Sequence, residues 1–168
     1  MTKRGKHTQE LRLQPNIVPR PLARRSVFKA LEGRKDWRKI REYVIDAARG
    51  SCQICGARRE KGMICHEVWH YEDKKWIATL VDFILICPDC NQVIHYGNVM
   101  AWEGDLSKDP TALALDHLIR VNGVVLKDAI TLLTEASDKW SKRSKHDWKI
   151  VISPNLIERF PILAQLEL

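Results

Sequence analysis

The chain has 168 residues, 45% of them hydrophobic and 29% charged, which is enough for one core and too few for two full domains. No run of 18 apolar residues occurs and the basic first segment has no apolar stretch, which argues against a helical membrane span and a secretory signal; Pro15, Pro19 and Pro21 argue against an amphipathic presequence helix. The formal charge of +7 is concentrated: residues 1–50 carry 14 Lys and Arg against 5 Asp and Glu, whereas the other 118 carry 14 against 16. A polyanion would therefore meet the N-terminal third, unless that charge is only a solvated tail.

In chain order, residues 1–26 read as an extended basic arm punctuated by proline. "SVFKALEG" is a helical turn ended by Gly33, which completes an arm of 1–35. From residue 36 the apolar residues Trp37, Ile40, Val44, Ala47 and Ala48 recur at three to four, and Gly50 follows, which predicts an amphipathic helix. "GMICHEVWHY" and "WIATLVDFILIC", β-branched and aromatic, flank the charged "EDKK" and predict an antiparallel hairpin. "PDCNQVIHYG" has proline near its start and glycine at its end, as a short helix would. Beyond a loop, Thr111–Asn122 and Val124–Trp140 predict two supporting helices, within about 111–142, separated by Gly123. A DNA-reading helix-turn-helix is the rarer use of such a pair. "HDWKIVIS" can add a strand, and the apolar tail 154–168 needs burial, on this domain by default or against a partner or second copy. The expected organisation is an α+β domain over 36–153, with its strand-strand-helix core at about 50–98.

Cys52, Cys55, Cys87 and Cys90 form two C-x-x-C pairs, and Cys65 is left over. Each pair can offer two thiolates from one tight turn, and together they complete the tetrahedral shell of a structural zinc. The odd cysteine and the lack of a thioredoxin-like context argue against disulfides or a redox dithiol. The 31 residues between Cys55 and Cys87 exceed a simple ribbon spacing, but a hairpin would bring the chain back.

A second cluster adjoins the first. His66 lies on the first strand, and Asn91 and His95, at i and i+4, share one helical face that can point toward it. A neutral imidazole suits the deprotonation of water near neutral pH, and a carbonyl with an imidazole suits a cation that polarises a phosphate. Each residue alone is more simply a hydrogen-bonded structural group.

The run "CQIC … CHEVWHY … LICPDCNQVIHYG", residues 52–97, resembles the zinc-bearing HNH endonucleases, or ββα-metal nucleases; more loosely, "VPRPL", "WRKIREYVIDAARGSCQICGA" and "RSKHDWKI" resemble a subgroup of small bacterial and phage HNH proteins. The resemblance implies a ββα-metal core stapled by a four-cysteine zinc, with flanking helices and a basic arm. It implies His66 as general base, Asn91 and His95 around a catalytic divalent cation, and hydrolysis of DNA phosphodiester bonds in the cytoplasm of a bacterial or phage-infected cell. One position departs from the family pattern. Where many relatives carry Asp or His before the base, this chain carries Cys65, a poor ligand for Mg²⁺. The expectation is then Mg²⁺, Mn²⁺ or a softer metal, with Cys65 or His70 as a further ligand, or else an inactive zinc-stabilised nucleic-acid-binding or adaptor module in a larger assembly. Arg4, Arg24, Arg25, Arg34, Lys35 and Arg38 are the expected phosphate contacts.

Overall fold

A computed structural model describes residues 11–101 and 109–168. After a 3-10 turn at Arg20–Leu22, the elements are α1 (Val27–Leu31), α2 (Lys35–Ala47), β1 (Ile64–Glu72), β2 (Ile77–Ile86), α3 (Pro88–Ile94), α4 (Tyr96–Met100), α5 (Pro110–Asn122), α6 (Leu126–Arg143), β3 (Lys149–Ile152) and α7 (Pro154–Arg159). A second 3-10 turn spans Pro161–Gln165. The architecture is α+β, with seven α-helices among the described residues around a three-stranded sheet of order β1-β2-β3.

The expected hairpin forms. β1 and β2 pair antiparallel with Ile64 opposite Ile86 and His66 opposite Ile84, and the turn lies between Glu72 and Ile77. Past Val68–Asp82 the pairing resumes at Trp69–Leu80, so Val81 is the extra residue of a bulge on β2. The burial of β2 changes phase there: Ala78 and Leu80 are buried before the bulge, Phe83 and Leu85 after it. β3 adds in parallel to the start of β2, Ile77 opposite Lys149. That leaves β1 on a sheet edge.

The core joins α2 (Ile40, Val44), the sheet (Leu80, Phe83, Leu85, Ile86), α3 (Val93, Ile94) and α5 (Ala114, Leu118). Both termini of the described chain enter it. The expected helical turn is α1, capped by the Ser26 hydroxyl accepting from the Lys29 N–H at 3.2 Å, and its Val27 and Leu31 are fully buried. Upstream, residues 11–19 form no regular element but are fastened: Leu13 donates its N–H to Asn122 Oδ1 (3.0 Å) and accepts from Asn122 Nδ2 (2.7 Å), and Asn16 N–H donates to the Ile94 carbonyl (2.9 Å). Gly97 permits this approach, because a Cβ there would lie 2.8 Å from Ile17 Cγ2. At the other end Leu156 and Leu163 are buried in the same core, and Phe160 packs edge-on to Phe83 and Tyr43. No helix among the described residues is long and apolar enough to cross a membrane.

Candidate metal centre and adjoining imidazole cluster

The first C-x-x-C pair sits in the turn after α2. Cys52 N–H donates to the Ala57 carbonyl (2.8 Å), Gly56 N–H to the Cys52 carbonyl (2.8 Å), and Cys55 N–H points at Cys52 Sγ (3.5 Å). Gly56 closes the turn at φ +80°, a left-handed conformation that a side chain would strain. Gln53 clips the turn to β2 through its backbone N–H to the Leu85 carbonyl (2.9 Å) and its Oε1 from the Leu85 N–H (2.8 Å). The second pair opens α3: Cys87 is the N-cap, its Sγ accepting from Cys90 N–H at 3.5 Å, and Pro88 occupies the first turn.

The hairpin brings the pairs together despite their separation in sequence. The four Sγ atoms all lie within 4.8 Å of one another, with Cys52–Cys90 at 3.8 Å and Cys55–Cys87 at 3.6 Å. A tetrahedron with Zn–S bonds of about 2.3 Å has S···S edges of about 3.8 Å, so four sulfurs at this spacing fit a metal ion such as zinc. Burial would raise the Cys52 thiol, but N–H groups of the turns directed at it outweigh that and bring it down to about 7. Burial and the neighbouring sulfurs push Cys90 up. Four cysteine sulfurs this close could hold a metal ion, whose charge would favour their thiolate forms.

His117, absent from the expectations, packs against this cluster. On α5 its Nδ1 lies 3.3 Å from an Arg120 guanidinium nitrogen and its Nε2 3.2 Å from Cys90 Sγ. Arginine can only donate, so Nδ1 accepts and Nε2–H is directed at the sulfur, the arrangement that orients a ligand from behind. A histidine among the buried Ala114 and Leu118 of an apolar helix face was the trace it left in the sequence.

Directly after Cys90 the chemistry changes. Asn91 lies on α3, and His95 ends it: the His95 N–H donates to the Asn91 carbonyl (2.9 Å), and φ −94°, ψ +39° turn the chain into α4. The His95 ring stands edge-on to that of His66, with centroids 5.1 Å apart. His66, Asn91 and His95 line one cavity of about 950 Å³. Burial first, and His95 second, push His66 down to about 4; burial alone lowers His95. Both rings are therefore neutral near pH 7, with nitrogen lone pairs available to a proton or a cation.

The remaining expected site residues divide, with Cys65, Arg24 and Arg25 bordering the same cavity and the other described ones away from it. Cys65 is buried in the core opposite Leu85, and strand alternation directs it and Glu67 to the sheet face opposite that of His66. Burial first, and Glu67 second, push its thiol up to about 12, and Cys65 also borders the cavity that His66 lines. Glu67 is occupied: Oε1 accepts from the Phe28 N–H (2.9 Å) and Oε2 from Trp69 Nε1 (3.1 Å), while burial raises its carboxyl. His70 is exposed and lies four residues along β1 from His66, about 13 Å at strand rise, beyond the reach of a shared ion. Arg24, Arg25, Arg34, Lys35 and Arg38 are all exposed, and no salt bridge among the described residues engages them. Arg24 and Arg25 lie on the same cavity as His66. Arg4 lies outside the described residues.

Set beside models of known protein families, curated proteins and solved structures, the chain matches none of them.

Proposed function

We propose that the chain is a metal-dependent HNH endonuclease that hydrolyses DNA phosphodiester bonds. The observation that carries this reading is the pairing of the His66 and His95 rings, centroids 5.1 Å apart, in one cavity with Asn91, which directly follows Cys90 of the four-thiol cluster. In this reading zinc occupies the four thiolates and holds the end of β2 and the start of α3 in register, which sets the distance between His66 and His95. His66 takes a proton from water as its oxygen bonds to phosphorus in line. The P–O3′ bond breaks on the opposite side, and the 3′ oxygen leaves, to be protonated by solvent. A divalent cation held by Asn91 and His95 would supply positive charge to the leaving oxygen. Arg24 and Arg25 contact flanking phosphates and fix the strand without reading sequence.

A second reading has its own observation. Among the described residues the only carboxylate on the cavity is Glu67, and both its oxygens already accept hydrogen bonds. A hard cation such as Mg²⁺ favours oxygen ligands, so a zinc-stabilised nucleic-acid-binding module is the alternative. Plasmid nicking decides between them. The purified protein is offered Mg²⁺, Mn²⁺, Ni²⁺ and Zn²⁺ beside His66→Ala; cleavage with at least one metal, lost in the variant, is expected. No cleavage with any metal, or an equal rate in the variant, would remove the nuclease reading.

A further inference from the structure

The cavity is far larger than water, a phosphate and one cation require. At about 950 Å³ it sits near the top of the roughly 300–1,000 Å³ range of sites that enclose a whole small molecule. Its composition is also unusual for a surface that touches only phosphates, because Phe28, Trp37, Trp69, Tyr71 and Trp140 all line it. A phosphate gains little from an aromatic face, whereas a nucleobase gains a stacking partner.

Several of these rings are held before any ligand arrives. Glu67 ties two of the walls together, with one oxygen on the Phe28 N–H and the other on Trp69 Nε1. Trp37 packs edge-on to Phe28 at 5.4 Å and to Phe83 at 6.1 Å, and the Arg20 guanidinium lies over the Trp140 ring at 5.0 Å. A ring fixed in this way loses no freedom on stacking.

Charge sorts the occupants. Arg20, Arg24, Arg25 and Arg41 line the cavity, against Glu67 as the only acid among the described residues. Arg24 holds φ +78°, a left-handed conformation that is strained for a side-chain residue and keeps the Arg24–Arg25 turn beside the cavity. An anion with an aromatic body fits this combination better than an apolar peptide or a lipid chain does. His66, Asn91 and His95 on the same cavity place that anion next to the proposed chemistry.

From these features we infer that the cavity takes one unpaired nucleotide of a DNA strand, its base stacked on the aromatic wall and its phosphate directed to the arginines. The inference rests on the nuclease reading for its choice of polymer. A base inside a duplex has both faces covered and cannot enter, so the preferred substrate is DNA with a nucleotide out of the stack: a bulge, a flap or a single strand.

The test uses full-length zinc-loaded His66→Ala protein without added divalent cation, so that binding is read without cutting. Two duplexes of one sequence are compared, with a single 5-iodouracil nucleotide either bulged or paired. Binding of the bulged duplex should be about 10-fold tighter or more, and irradiation should join the iodouracil to one of the five cavity aromatics, located by mass spectrometry. Phe28→Ala, at a ring 39% exposed and therefore tolerant of truncation, should reduce the preference for the bulge several-fold while the melting temperature holds. Equal affinity for the two duplexes, or adducts confined to residues outside the cavity, would overturn the inference. The nuclease reading fails separately: adducts on the cavity wall with no cleavage by wild type in any metal leave the nucleotide site standing and remove only the hydrolysis.

Discussion

The two clusters on residues 87–95 begin a few residues apart and are built in opposite ways. Cys87 and Cys90 face inward with Cys52, all three at most 2% exposed, and every sulfur has three sulfur neighbours within 4.8 Å. That centre is closed. His66, Asn91 and His95 instead share the wall of an open cavity of about 950 Å³. Structural metal sites fill their coordination shell with protein, whereas reactive sites keep a position open. One short helix borders both because the Cys87 and Cys90 side chains turn into the core while Asn91 and His95 lie on the cavity.

The sharpest way to break this comparison is to remove a thiol. Cys87→Ser or Cys52→Ser should abolish most of the folded population, since a structural zinc contributes on the order of 10 kcal/mol to small metal-stapled folds. Thermal melts with zinc analysis measure it, and an unchanged melting temperature at full zinc content would mean that the four sulfurs are not a staple. His66→Ala tests the open cluster. Activity should fall by ~10² to 10⁴-fold, the usual contribution of a positioned proton acceptor, with melting temperature and zinc content held. A parallel loss of stability would make His66 a core residue instead.

Cys65→Asp probes the boundary between the regions. Because the thiol is buried in the apolar core, a carboxylate there should cost about 1–3 kcal/mol of stability without improving the use of Mg²⁺. A gain of activity with Mg²⁺ would place residue 65 at the cation after all. The proposed phosphate contacts are each expected to contribute less. Arg25→Ala, and Arg24→Gly to suit the left-handed backbone, should each lower the slope of log affinity against log salt by about 0.9. Binding titrations between low and moderate salt give that slope, and an unaltered value assigns those charges to solvent.

The smallest expected effect lies far from both clusters. Arg143 donates to both carboxylate oxygens of Asp73, at 2.6 and 2.9 Å, and this holds the Asp73 carboxyl below its ordinary value. A depressed carboxyl contributes stability that is present above its unfolded value and is lost as pH falls through the folded one. With Asp73 half exposed, Asp73→Asn should cost under about 1 kcal/mol at neutral pH and nothing once the wild-type carboxyl is protonated. Urea titrations at neutral and strongly acidic pH would show the difference disappear.

Local pattern alone located much of this molecule. The three-to-four spacing of Ile40 and Val44 located α2, the β-branched runs around "EDKK" located the hairpin, and the C-x-x-C turns named the four thiols, because each feature depends on neighbours within one turn or one strand. The i, i+4 relation of Asn91 and His95 was equally local. What sequence could not convey depends on which surfaces meet. The parallel pairing of β3 with β2, the bulge at Val81 and the approach of Ile17 to Gly97 join segments far apart in the chain or answer to packing across the sheet. His117 reaches Cys90 only because α5 packs on α3, and its role has no local signature. The basic arm shows both sides of this division. Its positive charge and its prolines were written in the sequence, but the burial of Leu13, Leu22, Val27 and Leu31 was decided by the core that received them. Composition determines what a segment attracts, and only the tertiary structure decides which of its side chains remain free to do so.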